Sequence, residues 1–175
     1  EHIPLDIALP ELYQVFQQLI IKKSWENEKQ DYAAHPLQIA INSFSYKRGI
    51  PKDEYGNGGG FVFDCRSIHN PGRYEPYKHL TGRDTAVIDF LESQSQVKDF
   101  LATVFNMADM SIEAYLERGF QHLQINFGCT GGQHRSVYCA EALAKHIKEK
   151  YNLQVTLHHI EREIADPLWK VSMGE

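Results

Sequence analysis

The chain has 175 residues, enough for one domain with a proper core and too few for two ordinary ones. Its 42% hydrophobic and 23% charged residues are in the range of globular proteins, which excludes a disordered or collagen-like chain. The net charge of −5 excludes a surface that is basic all over, so nucleic-acid binding would need a local cluster of Lys and Arg.

No apolar run approaches membrane-spanning length, and Glu1 opens no signal-peptide pattern, so no membrane partner is expected and the expected location is the cytoplasm. A start without Met is compatible with an upstream domain in a longer chain. Cys65, Cys129 and Cys139 are odd in number and lack C-x-x-C spacing, which fits a reducing compartment and argues against a disulfide framework. The nine histidines show no established ligand spacing, and neither a metal nor a cofactor is expected.

In chain order, Pro10 opens an amphipathic helix over residues 10–29, with Leu12, Val15, Phe16, Leu19 and Ile20 at helical spacing. Such a face usually packs on its own domain. A polar stretch to residue 36 reads as a linker, dividing the chain into an N-terminal helix and linker (1–36) and a domain (37–175). The pattern predicts a strand over 37–43 after Pro36. Lys47 to Gly60 is a flexible loop whose glycines match neither G-x-G-x-x-G nor Walker A spacing. A second strand covers 61–65. Residues 67–83 lack periodicity and carry Pro71, Gly72, Pro76 and Gly82, which marks a long functional loop. Asp84 caps a helix through Phe90, and Ser95 opens another toward Arg118, stopped by Gly119. Strands at 122–127 and 153–157 flank a helical run at 137–150. The alternation implies an α/β fold, a mostly parallel sheet with helices on both faces, preceded by the N-terminal amphipathic helix.

The most informative segment is Gly128-Cys-Thr-Gly-Gly-Gln-His-Arg-Ser136, between a strand and a helix. Glycine lets main-chain N–H groups approach a ligand, and a helix start offers unpaired donors and the positive end of a dipole. Thr130, Gly131, Gly132, Gln133, His134, Arg135 and Ser136 are therefore candidate ligands of a phosphate. Ligands of parallel sheets bind beyond the carboxyl ends of the strands. That rule brings Ser43–Arg48, Asp64–Asn70 and Cys129–Ser136 to one crevice, with Lys47, Arg66 and Arg135 supplying positive charge.

These segments resemble the C-terminal domain of the RapZ family. The resemblance is carried in order by Ser43-Phe-Ser-Tyr-Lys-Arg-Gly-Ile-Pro51, Phe63-Asp-Cys-Arg66 with Asn70-Pro71, Leu80-Thr-Gly-Arg-Asp84, and Gly128-Cys-Thr-Gly-Gly-Gln-His-Arg-Ser-Val-Tyr138. It implies a bacterial regulatory domain that binds a phosphosugar, glucosamine-6-phosphate in the RapZ proteins, and that serves there as the RNA-binding part of an adaptor for small-RNA decay. The fold is expected to bring the loops carrying Asp64, Asn70, Thr81, Gly82 and Asp84 near the phosphate, so Asn70, Thr81, Gly82 and Asp84 join Lys47 and Arg66 of the crevice in the candidate ligand set. The N-terminal Walker-type domain of that family has no counterpart here, and residues 150–175 carry a net charge of −1 in place of a basic tail. RNA binding draws most of its affinity from neutralised phosphates, so it is expected to be weak.

An enzymatic alternative rests on Cys129, Arg135 and Ser136, the C-x5-R-S spacing of cysteine-dependent phosphatases. A cysteine beside a helix start and an arginine can be a strong nucleophile. Asp64 or Asp84 would protonate the leaving oxygen. Gly128 stands where phosphatases of that pattern usually place histidine, so the binding module is preferred.

Overall fold

The structure is a computed structural model and describes residues 10, 12–22, 37–57, 60–166 and 169. Its centre is a four-stranded, all-parallel sheet. Strand β1 (Gln38–Ser45) lies between β3 (His122–Cys129) and β4 (Gln154–His159), and β2 (Phe61–Asp64) forms the edge beyond β3. The N-terminal helix α1 covers residues 12–22, followed by α2 (Thr85–Gln94), α3 (Val97–Arg118), α4 (Arg135–Tyr151) and α5 (Ile160–Ala165). The expected α/β class, with a parallel sheet and an N-terminal helix, is what the chain adopts.

Period-two alternation assigns the two sheet faces. Ile39, Ile41, Leu123, Ile125, Phe127 and Leu157 are buried together with Leu143, Ala144 and Ile147 of α4 and Leu101, Val104 and Ile112 of α3. Full burial of each large aliphatic side chain contributes about 1.5–3 kcal/mol. On the other face Asn42 Nδ2 donates to Asn126 Oδ1 at 2.9 Å, Gln124 Nε2 donates to the same oxygen at 3.2 Å, and Asn126 Nδ2 donates to the Phe61 carbonyl at 3.0 Å. The segment 48–55 and α5 border that face around a cavity of about 520 Å³.

Register aligns the functional ends. Ser45 pairs with Cys129 and Asp64 with Gly128, so three strands finish at one level. The strand boundaries differ from the sequence reading by one or two residues. Helix α2 extends four residues past Phe90, and Gly119 stops α3 in the left-handed conformation (φ 71°) as expected. The stretch 67–83 is more ordered than its composition suggests: Cys65–Ser67, Pro71–Arg73 and Glu75–Tyr77 are single 3-10 turns. Local side-chain bonds replace periodicity there. Asp64 accepts from Arg66 N–H at 2.9 Å, and Asn70 Oδ1 accepts from Gly72 N–H at 3.1 Å. Leu12, Val15, Phe16, Leu19 and Ile20 of α1 are all more than half exposed, so among the described residues their apolar face has no cover. The continuation of that helix over 23–29 lies outside the described residues.

Candidate anion-binding site

Strand β3 ends at Cys129, the chain turns through Gly131 and Gly132, and α4 begins at Arg135. Gly132 has φ +62°, and a Cβ there would overlap the Glu161 side chain, so glycine is required on both counts. Above Gly131 there is open space within 4 Å. The first-turn N–H groups of α4 have no acceptor within the helix, and this 17-residue helix puts the positive end of its dipole at the turn. The thiol of Cys129 accepts from Gly132 N–H at 3.2 Å and lies 3.1 Å from Ser136 Oγ, which fixes the turn from below. Ser45 closes its other side by donating to the Thr130 carbonyl at 2.7 Å.

Arg135 is buried at 5% exposure, and its guanidinium does not simply face the turn. Nη1 donates to the Arg66 and Ile68 carbonyls, both at 3.0 Å, tying the 65–67 turn to the start of α4. Its Nε is buried with no acceptor among the described residues. His134 is also buried, and its Nε2 lies 2.8 Å from the Tyr77 carbonyl, which fixes that nitrogen as the protonated one. Burial is the main cause holding its pKa below the ordinary 6.5. The Arg135 and Arg162 charges act in the same direction, opposed by the Tyr77 and Leu80 carbonyls.

The Leu80–Asp84 turn docks directly on this start. Gly82 N–H donates to the Gln133 carbonyl at 3.0 Å, and Gln133 Nε2 donates to the Lys78 and Leu80 carbonyls at 2.9 and 2.6 Å. Asp84 occupies the cap position of α2, but its side chain makes no cap bond to that helix. Its Oδ2 instead accepts from Thr81 N–H at 2.7 Å and from Thr81 Oγ1 at 2.8 Å, shaping the turn. Asp64 is gripped by Arg66, whose hydrogen bonds hold its carboxyl below the usual range, and Arg66 lies 4.1 Å over the Tyr46 ring. Asn70 acts as a turn cap, and Lys47 has no ion pair among the described residues. Thus Gln133, His134, Arg135, Thr81, Gly82, Asp84 and Arg66 are joined through bonds to one another or to each other's turns, Asn70 caps the turn whose Gly72 abuts the His134 ring, and Lys47 is exposed with its N–H bonded to Ser45 Oγ.

Two neighbours escaped the sequence reading, Glu161 and Arg162 of α5, while Ser45 and Arg48 lie in the Ser43–Arg48 segment expected at the crevice. Glu161 packs against Gly132, Arg48 grips Glu161 through Nε and Nη2 at 2.9 and 3.2 Å, and the Arg162 charge reaches His134. A buried chain also stands behind the turn. Ser43 Oγ lies 2.7 Å from His159 Nδ1, His159 Nε2 lies 3.0 Å from Glu141 Oε1, and Glu141 binds Arg83 of the 80–84 turn. Burial pushes the Glu141 carboxyl up, but bonds from His159 and Arg83 outweigh it and hold the pKa below the ordinary value. Only a six-residue helix and a register position bring these groups together, and neither leaves a periodic signal. Among the described residues no cluster of His, Cys, Asp or Glu is set to hold a metal, and no helix is long and apolar enough to cross a membrane.

The model of the RapZ C-terminal domain matches residues 37–163, a span that contains every segment of this site. The chain belongs to the RapZ C-terminal domain family. Among its relatives are nucleotide-binding proteins of Cereibacter sphaeroides, 44% identical over 67% of this chain and 37% of the relative, and of Ruegeria pomeroyi, 40% identical over 75% and 44%. A nucleotide-binding protein of Xanthomonas euvesicatoria is 36% identical over 73% of this chain and 43% of its own length. The chain therefore spans less than half the length of these relatives. The motifs at 43–51, 63–71, 80–84 and 128–138 all lie within the RapZ C-terminal domain match, and α1 lies outside it.

Proposed function

We propose that this RapZ C-terminal domain is a regulatory module that binds a phosphorylated small molecule, its phosphate seated on the Thr130–Ser136 turn. The observation that carries the reading is the turn itself: open space over Gly131, first-turn N–H groups of α4 that have no acceptor within the helix, and a buried Arg135 whose Nε lacks an acceptor. A sugar phosphate related to glucosamine-6-phosphate fits best. The sugar would face the 64–70 and 80–84 turns, where Asp64 and Asp84 supply carboxylates for an ammonium group. The names of the relatives support a phosphate-bearing ligand, and residues 1–36 are read as an appendage to an autonomous domain at 37–175.

Calorimetry tests the assignment. Glucosamine-6-phosphate binds more tightly than glucose-6-phosphate, and Arg135→Lys weakens both, since lysine keeps the charge but not the guanidinium fork. Equal affinities for the two sugars would show that the amino group is not read, and unchanged affinity in Arg135→Lys would refute the role of Arg135.

RNA is a weaker partner in this reading. Among the basic groups near the pocket, Arg48, Arg66, Lys78 and Arg83 are each paired with a carboxylate. Few charges are left to neutralise a nucleic-acid backbone, so binding to a structured small RNA is weak and vanishes at moderate salt. Submicromolar affinity at physiological salt would overturn this.

A phosphatase reading has one specific observation in its favour: Cys129 Sγ sits within bonding distance of Gly132 N–H and Ser136 Oγ, beneath the anion turn. Against it, Cys129 is 3% exposed and Arg135 engages main-chain carbonyls. Turnover of p-nitrophenyl phosphate that Cys129→Ser abolishes would establish this reading over a binding-only module.

A further inference from the structure

An anion site needs positive charge close to the phosphate, and the residue expected to supply it is partly engaged elsewhere. Arg135 directs Nη1 to two carbonyls. The neighbouring cations are paired as well, Arg66 with Asp64, Arg83 with Glu141 and Arg48 with Glu161. Arg162 of α5 differs from these three paired arginines and shares the buried, unpartnered Nε of Arg135. It makes no ion pair among the described residues, and its Nε is buried without an acceptor. A buried guanidinium N–H with no partner costs more than an ordinary unmade hydrogen bond, and an arriving anion removes that cost.

Helix α5 lies against the turn. A Cβ on Gly132 would overlap Glu161 Cγ and meet Glu161 Cβ at 3.1 Å, so the residue next to Arg162 packs on the turn itself. The Arg162 charge is also felt by His134, the cap residue of α4 at the end of the loop. Glu161 stands beside the turn, and Arg48 holds its carboxylate in a two-point grip.

We propose that α5 is the third wall of the anion site. Arg162 donates to the bound phosphate, and Glu161, restrained by Arg48, opposes anions and sets the selectivity of the turn. This rests on the phosphate-binding reading above. Neither residue lies in the motifs that carried the sequence resemblance, so the pair tunes this chain's own ligand preference.

The test is calorimetric titration of the whole chain with inorganic phosphate and with glucose-6-phosphate at fixed ionic strength. Arg162→Gln weakens both about tenfold or more, as expected for loss of a charge-assisted bond. Arg162→Lys falls between it and the wild type. Glu161→Gln tightens both ligands, and Arg48→Gln, which frees the Glu161 carboxylate, weakens them. Melting temperatures report folding, and Glu161→Gln keeps the test open should Arg162→Gln not fold. Wild-type binding that is unchanged by both Arg162→Gln and Glu161→Gln overturns the α5 inference while leaving the turn as the phosphate site. A wild-type chain that binds neither ligand removes the phosphate reading and α5 with it.

Discussion

Gly82 is the position where a single methyl group separates this packing from a looser one. A Cβ there would overlap two main-chain atoms, the His134 carbonyl oxygen and the Tyr138 amide nitrogen, and would meet Val137 Cβ at 2.9 Å. None of these is the end of a flexible side chain, so Gly82→Ala has to push the 80–84 turn off the start of α4. Overpacking of this kind costs about 1–3 kcal/mol, and losing the 3.0 Å bond from Gly82 N–H to the Gln133 carbonyl adds about 1 kcal/mol. Restricting the unfolded chain offsets at most about 1 kcal/mol. The net expectation is a loss of about 1–4 kcal/mol, or a melting temperature lower by roughly 2–16 °C for a chain of this size. Gly131→Ala is the control, because nothing lies within 4 Å of its Cβ position, and it should change stability by less than about 0.5 kcal/mol. Urea denaturation of both variants decides the matter. A Gly82→Ala variant within about 0.5 kcal/mol of wild type would refute the close docking of the turn on α4.

Other consequences are equally specific. Glu141→Ala leaves Arg83 and the buried His159 short of an acceptor and should cost about 2 kcal/mol in urea denaturation, against a smaller loss for Glu141→Gln. The depressed pKa of His134 makes the unfolded chain bind more protons below pH 6.5. Stability is therefore full above that pH and declines as pH falls through the folded value; replacing His134 with Gln should flatten this part of the profile. Glu141 acts at lower pH, its contribution being present above the ordinary carboxyl pKa of 4.5 and lost on further acidification. A chain cut to residues 37–175 should keep a cooperative thermal transition, and its failure to fold would show that residues 1–36 belong to the domain.

The sheet was legible because each strand holds a short apolar or alternating run with Pro, Gly, Asp or Asn near an end, and because strands alternate with helical periods. The anion turn was legible because glycines, hydroxyls and a helix start share one short segment. The direction of Arg135 was not. A helix start fixes where its Cα lies, but the acceptors at Arg66 and Ile68 come from a turn nearly seventy residues away. Asp84 was placed at the cap position, yet Thr81 three residues earlier competes for its carboxylate and wins. The His158–Asp166 segment gave no warning of α5, since six residues are too few to show a period. The apolar stripe of α1 was plain in sequence, but periodicity does not say whether the domain covers it, and among the described residues that face is exposed.

The central claim is that a ligand phosphate sits on the Thr130–Ser136 turn, and amide chemical shifts read that turn residue by residue. In a ¹⁵N-labelled chain titrated with glucosamine-6-phosphate, the largest shifts should fall on Gly131, Gly132, Arg135 and Ser136, with smaller ones at Thr81 and Gly82. Saturable shifts confined to the cavity between segment 48–55 and the second sheet face, with the 130–136 amides unmoved, would contradict the account.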